Sequence, residues 1–174
     1  RLAGSKGLDI FCRATTSMEN GEFAQLRLIS DTTAGEGPYF AVIRQKTGNL
    51  IASTCALGAL YAGADTGRRK ALAAYGDHIG AAFQVVDDLL DFLGDQQSTG
   101  KKAGNDFLEG KVTLPLLHAL ARAGGDERRE MELLMRADRT GPEAFARLRA
   151  LIERFDGFTT AALTARQLVQ EAAA

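Results

Sequence analysis

Three aspartates in a DDxxD arrangement, Asp87, Asp88 and Asp91, are the residues of this chain best suited to chemistry. On a helix, Asp87 and Asp91 lie one turn apart on the same side, with Asp88 offset by about a third of a turn. Such an oxygen-only set suits Mg²⁺, a hard ion that keeps several waters and is shared between a few carboxylates and a substrate phosphate. The same string also fits a solvated or capping acidic face, and DDxxD alone does not separate the two. The surrounding pattern favours the metal. Over residues 68–93, Ile79, Phe83, Val86, Leu90 and Leu93 fill one arc, and Ala81, Ala82, Val85, Leu89 and Phe92 cover much of the other side. A helix apolar nearly all round is expected to be buried. Its remaining arc, with Asp77, Gln84, Asp87, Asp88 and Asp91, must then face a cavity or a cation, because an uncompensated buried carboxylate costs several kcal/mol.

A second anomaly is Lys46, which with Thr47 projects onto the apolar face formed by Tyr39, Ile43, Leu50, Leu57 and Tyr61 in the segment 38–63. A lysine can lay its stem along apolar surface and keep its head in water. The sharper reading is an ammonium and a hydroxyl turned into the cavity that the acidic stripe faces, where charge-assisted hydrogen bonds would hold a phosphate oxygen. The segment 94–113, rich in glycine and charge, adds Lys101, Lys102 and Lys111 together with Asp106 and Glu109. A solvated charge run is sufficient explanation for Lys102. Carboxylates and lysines in one pocket imply Mg²⁺ and a polyphosphate between them. Phe83, Ala73, Gly76 and Gly80, on the same helix, would leave the rest of that pocket apolar and suited to a hydrocarbon tail.

The elements that must position these groups are helices. Of 174 residues, 51 are Ala or Leu and only 11 are Val or Ile, the balance of an all-α chain. Apolar residues recur at helical spacing over 8–29, 38–63, 68–93, 114–122, 127–137, 142–155 and 160–174, while 94–113 reads as a long loop. Pro38 and Pro142 each follow a glycine and open a periodic run. A formal net charge of −1 supplies no general pull toward nucleic acid or anionic membrane. The uncharged stretch 47–64 is too diluted by polar residues and glycine to be a transmembrane segment. Cys12 and Cys55, with no CxxC and two histidines, give neither a zinc spacing nor a disulfide framework and are expected as reduced core thiols of a cytoplasmic protein. The chain begins at Arg1 with no signal peptide pattern, and its N-terminus is expected to be truncated or processed.

At these residues the sequence closely resembles the trans-isoprenyl diphosphate synthases. The string FQVVDDLLDFLGDQQSTGKKAGNDFLEGKVTLPLLHAL, from Phe83 to Leu120, resembles the second aspartate-rich region of that family. Gly21-Glu22-Phe-Ala-Gln25 resembles its GE-x-x-Q helix, and Lys46-Thr47-Gly48 its KT motif. The resemblance runs from about Ser17 to Ala172 and implies an all-α, isoprenoid-synthase-type helical bundle around a central cavity, here without its N-terminal helices. It implies a prenyltransferase: an allylic diphosphate, bridged to the enzyme by Mg²⁺, ionises to an allylic cation that the double bond of isopentenyl diphosphate attacks. Carried over by motif, Asp87 would ligate Mg²⁺, with Asp88 and Asp91 as further ligands or hydrogen-bonded to them. Lys46, Lys101 and Lys111 would hold the allylic diphosphate, Thr47 and Gln84 would place oxygens near the developing cation, and Phe83 would wall the pocket. Asp106 matches the family's loop aspartate, whereas Asn105 and Lys102 fall at variable positions.

The family's first aspartate-rich motif and its isopentenyl-diphosphate-binding residues would precede Arg1. The chain is therefore expected as a single helical domain over 1–174, the C-terminal part of such an enzyme, inactive by itself. The alternative is a noncatalytic, regulatory subunit of a heteromeric synthase. A homodimer is expected, as the family implies: the helix over 8–29 spreads Phe11, Met18, Phe23, Leu26, Leu28 and Ile29 over more than half its circumference and needs a second burial partner, which could instead be the N-terminal half of such an enzyme.

Overall fold

The computed structural model describes residues 4–94, 103–137 and 139–174. Among the described residues nine α-helices follow one another: α1 Gly4–Arg27, α2 Glu36–Ile43, α3 Asn49–Tyr61, α4 Thr66–Leu93, α5 Asn105–Glu109, α6 Leu114–Arg122, α7 Gly125–Arg136, α8 Pro142–Arg154 and α9 Gly157–Ala172. A π-helical turn, Arg44–Gly48, joins α2 to α3. No strand occurs among the described residues. The described chain gathers into two compact units. The first takes the chain up to Ala24, Phe40–Gln84 and Ala165–Ala174, and the second takes Gln25–Tyr39 and Val85–Thr164.

In the first unit, small residues set the helix spacing. The buried positions of α1 are Gly7, Ala14 and Gly21, seven apart. A Cβ on Gly21 would lie 2.7 Å from the backbone N of Lys46, and one on Gly80 would lie 2.6 Å from Cα of Gly48. Backbone therefore meets backbone on both sides of the π turn, which any side chain would prevent. Two polar contacts tie the same place: Ser17 donates to the carbonyl of Gln45 at 3.1 Å, and Asn49 donates to Ser17 Oγ at 2.6 Å.

The second unit is built on α6, whose residues Leu114 to Leu120 are all buried, and which packs on α8, as α7 does. Pro115 and Pro142 stand in the first turns of α6 and α8, where a missing N–H costs nothing. Four phenylalanines bind the C-terminal part of α4 to the rest: the Phe92 ring lies 5.7 Å from both Phe145 and Phe158, and Phe107 of α5 lies 5.9 Å from Phe145. Such aromatic pairs add to burial and fix a ring's neighbours.

Four expectations are corrected. First, α4 is not buried all round. Ala81, Ala82, Val85, Leu89 and Phe92 are buried, whereas Phe83 is 60% exposed and Val86, Leu90 and Leu93 are exposed beside it. Apolar residues are compatible with a buried face but do not enforce one. Second, the segment 38–63 is not one α-helix. The π turn inserts an extra residue, so the face that begins with buried Tyr39 and Ile43 does not continue to Leu50 and Tyr61, which are exposed. Third, Gly76 and Gly80 do not line an open pocket, because Ala52 and Gly48 close on them. Fourth, Cys12 is exposed and Cys55 half-buried; both are free. The described part of the segment 94–113, residues 94 and 103–113, holds the short helix α5, which the periodicity misses. No helix among the described residues is long and apolar enough to cross a membrane.

Candidate functional site

The first unit carries Lys46, Thr47 and Gln84. Lys46 and Thr47 sit in the π turn, a geometry that appears mostly as single turns and often at functional sites. The Lys46 ammonium lies 3.0 Å from the Glu22 carboxylate of α1. Glu22 follows Gly21, the residue whose missing Cβ lets α1 reach the π turn, so the GE pair of the sequence acts as one device. Thr47 donates its hydroxyl hydrogen to Gln84 Oε1 at 3.0 Å, joining the two residues expected near a developing cation. That bond uses the one hydrogen of the Thr47 hydroxyl and leaves its oxygen an acceptor.

The second unit carries the three aspartates and Lys111. Asp88 is buried, and its Oδ2 accepts the Tyr39 hydroxyl at 2.7 Å. Burial and the charge of Asp88 push the Tyr39 hydroxyl well above its ordinary pKa, so it stays a donor. Asp91 accepts backbone N–H groups of Asn105 and Asp106, both at 3.1 Å, and its own carbonyl accepts the N–H of Gly104 at 2.9 Å. The third aspartate of the motif therefore holds the start of α5. Burial raises the Asp91 pKa, the charge of Asp106 adds to this, and the two amides and Lys111 work against it. Asp87 is half-buried on the same helix.

Lys111 follows α5 and reaches Asp106 at 2.8 Å and Glu109 at 2.7 Å. Burial works against its charge, but the two carboxylates outweigh burial and hold its pKa above that of an ordinary lysine. An ammonium has three donors, and these pairs use two. Asp106 thus receives Lys111 while its backbone serves Asp91, joining the DDxxD helix to the lysine through α5. Lys101 lies outside the described residues.

Sequence reasoning missed two of these roles. The apolar pattern places Tyr39 among core positions, although a buried tyrosine hydroxyl needs a partner, and that need is the available signal. Glu22 stood in a quoted motif without a role; nothing in its spacing from Lys46 points to the pair. Among the described residues no three of His, Cys, Asp and Glu converge into a metal cage. The donor set still fits Mg²⁺, which is usually held by one or two carboxylates, waters and substrate phosphates.

The polyprenyl synthetase family model matches residues 2–152. Octaprenyl diphosphate synthase of Haemophilus influenzae is 39% identical over 127 residues, covering 73% of this chain and 39% of that protein. Heptaprenyl diphosphate synthase component 2 of Geobacillus stearothermophilus is 41% identical over 158 residues, 89% of this chain and 47% of that protein. The crystal structure of polyprenyl synthase from Caulobacter crescentus, complexed with calcium and isoprenyl diphosphate, matches with a TM-score of 0.92 at 36% identity over 98% of this chain and 52% of the other. The chain thus spans about half, or less, of the length of these proteins, and within that span helical fold, motif order and sequence agree: it belongs to the polyprenyl synthetase family.

Proposed function

We propose that this protein serves a prenyltransferase that condenses isopentenyl diphosphate with an allylic diphosphate by Mg²⁺-assisted ionisation. The observation that carries the reading is the division of labour within DDxxD. Asp88 is held by a buried tyrosine hydroxyl and Asp91 holds two backbone amides, so two members of the motif brace the helix turn that presents Asp87. Asp87 would be the principal Mg²⁺ ligand, with Asp88 and Asp91 supporting it. When bound, Mg²⁺ supplies Lewis-acid neutralisation of the diphosphate, which makes it a leaving group. A similar protein crystallised with calcium and isoprenyl diphosphate supports the pairing of a hard divalent ion with this ligand class.

Lys46 and Lys111 would each donate to diphosphate oxygens as point charges, and Lys101 is assigned the same task by its motif. Glu22, Asp106 and Glu109 hold the first two lysines in place before a ligand arrives. The Thr47 oxygen, fixed by its bond to Gln84, would stabilise positive charge on the allylic carbon, an orientation set in advance of the reaction. We place the enzyme in the cytoplasm, with which two unbridged cysteines agree, and as a homodimer.

A second reading, a subunit of a heteromeric synthase, is favoured by the 41% identity to a protein named as component 2 of a heptaprenyl diphosphate synthase. One assay addresses both. The purified 174-residue chain is incubated with farnesyl diphosphate, isopentenyl diphosphate and Mg²⁺. We expect Mg²⁺-dependent binding of the allylic diphosphate without elongation, because the second-substrate site that makes condensation effectively unimolecular belongs to the remainder of the enzyme. Elongation by this chain would overturn that expectation. Binding that is absent, or indifferent to Asp87→Ala, would turn the assignment toward the noncatalytic subunit.

A further inference from the structure

We infer that Arg139, in the linker between α7 and α8, is a positioning residue that sets the place of Lys111; the inference rests on the reading of Lys111 as a diphosphate-binding group. Arg139 lies 28 residues beyond Lys111 and touches no substrate-binding motif in sequence. Its guanidinium nevertheless organises the turn from which Lys111 projects. Nη1 donates to the carbonyl of Met135 at 2.7 Å and to Ser30 Oγ at 3.2 Å, and Nε donates to the carbonyl of Leu108 at 3.3 Å. The first bond anchors the side chain to the last turn of α7. The Leu108 bond carries that anchor to α5, and the Ser30 bond carries it to the turn between α1 and α2.

Ser30 completes the clamp. It has a left-handed backbone, φ 57°, and its N–H donates to the carbonyl of Gly110 at 2.8 Å. Gly110 is itself left-handed at φ 75°, and a Cβ there would meet Ser30 Oγ at 3.0 Å and Arg139 Cζ at 3.1 Å. The carbonyls of residues 108 and 110 are thus held from outside the helix. From inside, Gly110 N–H donates to Phe107 and Lys111 N–H to Asp106, at 3.0 and 2.9 Å. Lys111 leaves a turn held by these bonds on both sides, so the direction of its side chain is set before its ammonium meets Asp106 and Glu109.

This clamp is separable from the core. Arg139 itself is only half-buried, and Leu108 and Glu109, in the clamped turn, are exposed, whereas the core contributed by α7 and α8 lies at Met131, Met135 and Leu148. Truncating Arg139 therefore loosens the turn and leaves the helices packed. The planar guanidinium holds Nε and Nη1 in fixed directions toward two carbonyls and a hydroxyl, an arrangement that a compact ammonium on a flexible stem reproduces only in part.

The test is a double-mutant cycle on the purified chain, with binding of farnesyl diphosphate in Mg²⁺ measured by calorimetry and backbone amide exchange by NMR. Arg139→Ala is expected to weaken binding about tenfold, within the usual range for coupled contacts, and to keep the urea midpoint near wild type. Lys111→Ala weakens binding as well. Adding Arg139→Ala to Lys111→Ala is expected to change nothing further, because the first acts through the second. Arg139→Lys restores only part of the loss. Without ligand, the amides of Gly110 and Lys111 exchange faster in Arg139→Ala while those of α6 do not. Unchanged exchange at Gly110 and Lys111 overturns the inference, as does wild-type affinity in Arg139→Ala beside a weakened Lys111→Ala, or an equal loss in both backgrounds. Wild-type affinity in Lys111→Ala instead overturns the binding role of Lys111, and the positioning role falls with it.

Discussion

Asp87, Asp88 and Asp91 share a charge and a helix but not a job. Replacing Tyr39 with Phe leaves a buried Asp88 oxygen short of its donor, which costs about 1–3 kcal/mol. Urea denaturation of Tyr39→Phe should show that loss; an unchanged midpoint would mean that another donor takes over. In the intact enzyme, Asp87→Ala should lower turnover far more than Asp91→Ala, since groups that orient a ligand rather than form it matter at about 10- to 100-fold. Asn105→Ala should be nearly silent: Asn105 is exposed and serves Asp91 through its backbone N–H, which alanine retains. Steady-state kinetics of the three variants check the order, and equal losses would contradict it.

At the scale of the element, the π turn and the glycine beside it decide where Lys46 stands. Gly21→Ala puts a Cβ 2.7 Å from the Lys46 backbone N, so α1 or the turn must move. Overpacking of this kind costs about 1–3 kcal/mol. The midpoint of thermal unfolding should fall accordingly, and Mg²⁺-dependent diphosphate affinity should fall with it because Glu22 and Lys46 are displaced together. Wild-type affinity in a destabilised Gly21→Ala would show that the Glu22–Lys46 contact does not set the site. The π turn itself was illegible, because a period of 3.6 assumes that no residue is inserted. A 3.6 period therefore places Leu50 and Tyr61 on a face they do not share with Tyr39 and Ile43.

For the whole molecule, pH and association are the informative variables. His118 is buried; its Nδ1 lies 2.8 Å from Thr160 Oγ1 and its Nε2 3.2 Å from Glu36. Burial lowers its pKa below 6.5, Glu36 opposes this and Arg122 reinforces it. The unfolded chain therefore binds more protons just below pH 6.5, so the stabilisation present above that value is lost as pH falls through the folded pKa. Urea midpoints of wild type should drop on acidification through this range, and the corresponding part of the drop should vanish in His118→Gln. An identical pH dependence in the variant would remove His118 as its cause. Leu8, Phe11, Phe23 and Leu26 of α1 are more than half exposed, as the sequence pattern required of a helix with a second apolar side. Exposed apolar area of that kind marks an interaction surface. Sedimentation of the full-length protein should show a dimer, and a monomer at all concentrations would reject it.

What depends on local pattern is legible in the residues alone. Helical class followed from composition and period, the bounds of α6 from its apolar run and Pro115, and family membership from DDxxD, KT and the Gly-Lys-rich string. Periodicity could also place Asp87, Asp88 and Asp91 on one stripe, since their angular separation is a property of any α-helix. Long-range packing chose which apolar arc of α4 is buried, because a hydrophobic side chain tolerates burial without choosing its partner. It alone gave Asp88 to Tyr39, 49 residues away, and Gly110 to Ser30 and Arg139. Those pairings satisfy buried or strained polar groups across long loops, and a hydrogen bond's demand for a partner within about 3 Å leaves no trace in the spacing of the residues that meet it.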